Sequence, residues 1–195
     1  MRRNVSLGLA LAIFGFTTTA WGSFHQWGIS EVYSDPTGTI QFIEMATSQP
    51  GEIFLQFNQF TSIAKNLTFD HNFGSATTNK KFLMATPGYA ALPGVPAPDF
   101  TFPSNNFFSV TADTLTLVGG IGDGVHPATL SFTSGQLPID GVKSLNFDLS
   151  QNTTNSPTNF AGTTGAVPEP ATAALLGTSL SCLMISRRRR ARRPS

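Results

Sequence analysis

The chain is short of cysteine, of charge and of helix-forming residues. Its one cysteine, Cys182, excludes a disulfide within the chain, so any folded region stands on its apolar core. Charged residues are 12% of the 195, about half the usual globular share. Glu, Lys and Arg are scarce while Phe, Thr, Ser, Asn and Gly abound, which weighs against helices and toward strands and turns. Basic charge is missing from the middle. Eight of the basic residues are arginines at the two ends, leaving Lys65, Lys80, Lys81 and Lys143. Four lysines against ten acids give the middle a net charge of −6. That excludes nucleic acid as a partner, because phosphate binding needs clustered Lys and Arg.

Catalytic signatures are missing too. There is no Gly-x-Ser-x-Gly elbow and no P-loop or dinucleotide fingerprint. The only cysteine lies in the tail, so the middle has no cysteine nucleophile. His25, His71 and His126 stand at unrelated spacings, with Asp70 and Asp123 the nearest acids in sequence. They read as loop histidines rather than metal ligands. "GGIGDGVHP" carries a Gly-Asp pattern of the calcium-repeat kind once, where such sites need stacked copies, so it reads as a turn. The most tempting acid pair is Glu31 and Glu44. As general acid and base they need a cleft and a set spacing; we read them as structural carboxylates. No catalytic, cofactor or metal residue is assigned, and the expectation is a protein that is not an enzyme. The alternative is a small secreted hydrolase acting on polysaccharide or esters with Glu31 and Glu44.

The two ends carry the clearest signals. Arg2 and Arg3 precede an apolar run over residues 5–16, and small residues follow at Ala20 and Gly22. This is the layout of a secretory signal peptide, residues 1–22, cleaved between Gly22 and Ser23, with cleavage after Ala20 the second choice. At the other end, residues 171–185 are apolar or small and uncharged. As a helix at ~1.5 Å per residue they reach about 22 Å, short of a ~30 Å hydrocarbon core but extendable by snorkelling arginine stems. Arg187, Arg188, Arg189, Arg190, Arg192 and Arg193 follow and stay cytoplasmic by the positive-inside rule. Pro168 and Pro170 stop the helix from running backward.

Val167-Pro168-Glu169-Pro170, a short apolar helix and a terminal arginine cluster, in that order, resemble the PEP-CTERM sorting signal of Gram-negative bacteria. The resemblance covers residues 167–195 and implies recognition by an exosortase and cleavage near the motif. Signal peptidase and exosortase are then export partners, with the precursor in the inner membrane and the mature form at the cell surface or in the extracellular matrix. Exopolysaccharide and biofilm are the implied setting. Thr178, Ser179, Ser181 and Cys182 make this helix more polar than the usual Leu-Ala-Gly type.

Between the ends, period-two patterns mark strands over residues 39–46, 52–57 and 81–86, and within "DTLTLVGG", "ATLSFTSG" and "SLNFDLS". In the last, Leu145, Phe147 and Leu149 are expected inward, with Ser144, Asn146 and Asp148 outward. "GDGV" at 122–125 reads as a hairpin turn, and "TPGYAALPG" at 86–94 as one helical turn. Residues 150–166, uncharged and rich in Thr, Asn and Gly, read as a flexible linker. The expected fold is a single antiparallel all-β sandwich over residues 23–149. Exposed aromatic rings could stack on sugars, with Trp27, Tyr33, Tyr89, Phe107 and Phe108 the candidates. Finally, "GISEV" followed by "QFIEM" resembles the opening of a lamin-tail-like domain, an immunoglobulin-like sandwich. Ile29, Glu31, Val32, Phe42, Ile43 and Glu44 stand on its pattern, with Met45 for the usual Leu, and "KFLMATPGYAAL" is similar to a later strand and turn. The resemblance implies a binding or scaffolding module.

Overall fold

The computed structural model describes residues 25–168. The signal-peptide segment with Gly22 and the Ser23 start, and the tail from Glu169 through Pro170 to the arginine cluster, lie outside the described residues. In chain order the elements are β1 (Gly28–Ser34), β2 (Gln41–Thr47), β3 (Gln59–Thr61), β4 (Asn66–Thr68), β5 (Lys80–Ala85), the helical turn α1 (Pro87–Ala90), β6 (Phe100–Thr101), β7 (Asp113–Leu117), β8 (Thr129–Phe132), β9 (Ser144–Asn146) and β10 (Gln151–Asn152). They form a six-stranded sheet, β10-β9-β1-β2-β5-β6, and a four-stranded sheet, β4-β3-β7-β8. The described chain is therefore all-β in two sheets. Strand pairs are antiparallel with one exception, β5 with β6, which run parallel; the wholly antiparallel expectation is corrected there. Residues 86–99 make the crossover that a parallel pair requires, and α1 lies within it, capped by the Thr86 hydroxyl, which accepts the Tyr89 N–H at 3.3 Å. Among the described residues no helix is long and apolar enough to cross a membrane.

Alternation along the strands builds the core. Ile29, Val32, Ile43, Met45, Phe82, Met84 and Leu145 from the large sheet meet Phe60, Leu67, Leu115, Leu117, Leu130 and Phe132 from the small one. Trp27 sits in this layer, edge-on to Phe82 with centroids 4.7 Å apart, and its indole N–H donates to the Glu52 carbonyl at 2.8 Å. Phe60, Phe69, Phe73, Phe82, Phe100 and Phe132 thus help fill the space between the sheets. Edge-to-face ring pairs of this kind add about 0.5–1.5 kcal/mol each beyond the area they bury.

β1 and β2 are buried at every position, because the large sheet is covered on both faces. The second face carries its own cluster: Tyr33, Phe42, Leu83, Ala85, Tyr89 and Val167. The Tyr89 hydroxyl is buried without a hydrogen-bond partner among the described residues, a cost of about 1–3 kcal/mol set against the edge-on packing of its ring on Phe42.

Three segments differ from their sequence pattern. Residues 52–57, expected as a strand, form turns instead. Phe57 adopts a left-handed φ of 70°, and the Asn58 side-chain amide donates to the Phe54 and Leu55 carbonyls, so local bonds replace ladder bonds. In 144–149, Leu145 is buried as expected. Leu149, however, takes φ 65° and is exposed, because Asp148 accepts the Ser150 N–H at 2.9 Å and closes a turn. Ser144, expected outward, is fully buried because the outward face is covered. Residues 150–166 are the third correction: they are not a linker. β10 pairs with β9, Asn155 is buried, and the folded domain runs on to Val167, which is 3% exposed.

Candidate functional site

A single extra residue decides where the two glutamates point. Ile29 pairs with Met45, Glu31 with Glu44 and Val32 with Ile43, so Ser30 is unpaired and bulges. Strict alternation would send Glu31 into the core beside Ile29. The bulge shifts the phase by one, turning Glu31 to the second face opposite Glu44 and returning Val32 to the core.

The two carboxylates, with Asp99, hold a small hairpin made by residues 155–167, a flap over the second face. Its arms meet at a Thr158–Thr164 bridge, through the Asn159 N–H donated to the Thr163 carbonyl at 3.1 Å and the Gly165 N–H donated to Pro157 at 3.2 Å. Glycine suits the tip because Gly162 has φ 86°, which strains residues with a Cβ. Three alternate amides on one arm reach down to the sheet. The Ser156 N–H donates to Glu31 at 2.9 Å, the Thr158 N–H to Glu44 at 2.8 Å, and the Phe160 N–H to Asp99 at 2.9 Å. Every second amide along this arm thus meets one carboxylate. At the base, the Val167 N–H donates to the Asn155 side chain at 2.7 Å, and Asn155 donates to the Val142 carbonyl at 2.8 Å.

Each glutamate has further partners. Glu31 accepts the Ser144 hydroxyl at 2.5 Å and the Ser156 hydroxyl at 3.1 Å. Glu44 is fully buried; it accepts the Ser30 hydroxyl at 2.7 Å and pairs with the Lys81 ammonium at 2.8 Å. Burial pushes the Glu31 carboxyl above its ordinary value of 4.5; the Ser144 and Ser156 hydrogen bonds work against this, and the neighbouring Glu44 charge adds to it. Burial likewise raises Asp99 from 3.8, against the Leu83 and Phe160 amides. A carboxyl with a raised folded value contributes stability that is complete below its unfolded value and lost as pH rises through the folded one. Asp123, Asp140 and Asp148 are lowered from 3.8, so their contributions disappear as pH falls below 3.8. The melting temperature should therefore rise on acidification from neutrality toward 4.5 and fall again below 3.8. Glu31→Gln should flatten the upper slope in thermal melts across that range. A melting temperature that falls steadily from neutral pH downward would contradict the assignment.

Beside the flap, the sheet face opens into two shallow hollows. One of about 270 Å³ is lined by Ser30, Glu31, Glu44, Lys81, His126, Asn146, Phe147, Asn152 and Ser156. The other, of about 220 Å³, is lined by Ala46, Thr47, Ser48, Asn79, Lys80, Lys81, Asp123, Val125 and His126. Lys81 and His126 belong to both and form the ridge between them. Asp123 steadies this wall by accepting the Val125 and His126 N–H groups at 3.0 and 2.7 Å, and it lies 3.1 Å from the His126 ring nitrogen Nδ1. Residues 118–128 thus form a longer β7–β8 connection, with the expected turn at its tip. Gly28 lets this wall approach β1: a Cβ there would lie 2.1 Å from the His126 carbonyl oxygen.

The histidines are not brought together. His71 pairs with Asp70 at 2.6 Å, and His126 with Asp123. His25 is buried, 3.8 Å from Glu52. Among the described residues no group of three or more His, Cys, Asp or Glu could hold a metal ion. The sugar-stacking candidates are overturned: Trp27, Tyr33, Tyr89, Phe107 and Phe108 are all at most 2% exposed, because each ring fills a core layer. Sequence reasoning missed Lys81, Asn146, Phe147 and Asn152 as neighbours. They come from β5, from the end of β9 and from β10, and no local signal links them. Compared with protein-family profiles, curated proteins and solved structures, the chain matches none.

Proposed function

We propose that this chain is an exported cell-surface protein, delivered by an N-terminal signal peptide and a C-terminal sorting tail of the PEP-CTERM kind. Its folded part is a non-catalytic module, an immunoglobulin-like sandwich of lamin-tail type. The observation that carries the reading is the place of Val167: first residue of the Val167-Pro168-Glu169-Pro170 motif, it is buried in the cluster on the second face of the large sheet, so the fold holds the chain up to the motif. The adjacent antiparallel pairing of the strands bearing Ile29, Glu31 and Val32 and bearing Phe42, Ile43, Glu44 and Met45 supports the lamin-tail likeness. The non-catalytic reading is supported by the glutamates' use: their oxygens are taken up by the flap, by hydroxyls and by Lys81. A hydrolase using Glu31 and Glu44 needs a carboxyl that reaches substrate, and Glu44 has no exposed surface.

Mass spectrometry of the surface-located protein tests the reading. The mature chain should begin at Ser23, or at Trp21 on the second choice. It should lack the arginine cluster and still contain Val167, because that residue is clamped by Asn155. Replacing Pro168-Glu169-Pro170 with three alanines should leave precursor in the inner membrane. Surface protein that still yields an intact C-terminal "RRRRARRPS" peptide would defeat the processing claim.

A further inference from the structure

We propose that the paired hollows on either side of Lys81 and His126 form a binding cleft for a neutral saccharide chain. The inference rests on the reading of a non-catalytic surface module and names its ligand class.

The walls exclude the other common occupants. An extended peptide adding to the sheet needs an open strand edge. The hollows open on the face of the sheet, over β1, β2, β5 and β9, each of which has neighbours on both sides; the edge strand β10 contributes only Asn152. A phosphate or uronate polymer needs surplus positive charge. Here Lys80 and Lys81 are outnumbered by Glu31, Glu44 and Asp123, the Lys81 charge is met by Glu44, and no arginine occurs among the described residues. A wholly apolar ligand would shut water away from the Lys81 ammonium, which gives one hydrogen bond to Glu44, and from the Asn146 and Asn152 side chains, which each give one to a serine hydroxyl and have further donors and acceptors to satisfy.

What remains is a ligand both hydroxylated and faced with C–H groups, which is the surface of a pyranose ring. The larger hollow is polar. Lys81 has three ammonium donors and gives one to Glu44, and the Asn146 and Asn152 amides stand beside it. Phe147 supplies a ring there, held edge-on to His126 with centroids 4.9 Å apart. The smaller hollow has apolar walls from Ala46 and Val125, the latter 62% exposed, with the Asn79 side chain at its rim. The hollows adjoin across Lys81 and His126, which line both, so adjacent sugar units of one chain can occupy them across that ridge. Together they approach the size of an ordinary small-ligand site.

The test uses the full chain in a non-sugar detergent, probed on an array of neutral and uronate-bearing glycans and then titrated by calorimetry with the neutral hexasaccharide that binds best. Two variants probe the two hollows. Phe147→Ala removes the ring. Asn79→Gly removes the amide where the backbone already has φ 53°, a conformation that glycine accepts without strain, so the fold is preserved. Each should weaken binding by about tenfold, the scale of one well-placed contact, with the melting temperature of Asn79→Gly unchanged. The proposal is overturned if no neutral glycan binds, if uronate-bearing glycans bind in preference, or if both variants bind as well as wild type. Location in the cell does not enter the measurement. Failure of binding therefore leaves the export reading standing, and failure of export leaves the cleft standing.

Discussion

A chain that starts at Ser23 and ends at Ser150 will not hold the native fold, whereas one that ends at Pro168 will. The missing segment carries β10 and the flap. Without it, Tyr33, Phe42, Leu83 and Tyr89 lose the cover contributed by Val167. Glu31, Glu44 and Asp99 lose the Ser156, Thr158 and Phe160 amides. An acceptor stripped of a charge-assisted hydrogen bond costs about 1.5–3 kcal/mol. Three such losses plus the uncovered apolar face rival the whole stability of an ordinary domain, about 5–15 kcal/mol. Fluorescence of the buried Trp27 and thermal melts should show a loose, non-cooperative short chain and a cooperative long one. Equal melts for the two would mean that residues 151–167 contribute nothing to the fold.

Glu44→Ala is the most damaging single change expected at the site. The Lys81 ammonium, the Ser30 hydroxyl and the Thr158 amide all lose their acceptor. Breaking a buried charge pair by removing one partner costs about 3–5 kcal/mol; partial exposure of Lys81 moves this case toward the lower end. Removing both charges together, as Glu44→Leu with Lys81→Met, should cost less than Glu44→Ala alone, since no charge is then left unpaired. Chemical denaturation measures all three proteins. Amide exchange should show the flap, Thr158 first, opening in Glu44→Ala. A double variant less stable than Glu44→Ala would refute the account of Glu44 as an anchor.

How legible each part was follows from the range of the forces involved. β2, β5, β7 and β8 are visible as period-two runs because one turned-in side chain per two residues is a local pattern. The helical turn at Pro87 is legible for the same reason, since its proline and its Thr86 cap are adjacent in the chain. Residues 52–57 alternate like a strand, yet Phe57 and Asn58 bend them into turns. The flap was hidden for a different reason. Its Thr, Asn and Gly composition is that of a linker, and what orders it are carboxylates more than fifty residues away along the chain.

The sequence by itself determined the all-β character, the acidic and disulfide-free middle, and the basic and apolar composition of the two ends. These follow from composition, charge and short-range periodicity, which need no knowledge of the fold. The tertiary structure alone decided the use of the polar residues. One bulged serine turned Glu31 away from the core, and no pattern in the sequence marks that extra residue. The flap offers Glu31, Glu44 and Asp99 its backbone amides, which every residue except proline carries, so its sequence holds no trace of the partnership. Lys81, His126 and Asn146 became neighbours only when β5, the β7–β8 connection and β9 came together over one face of the sheet.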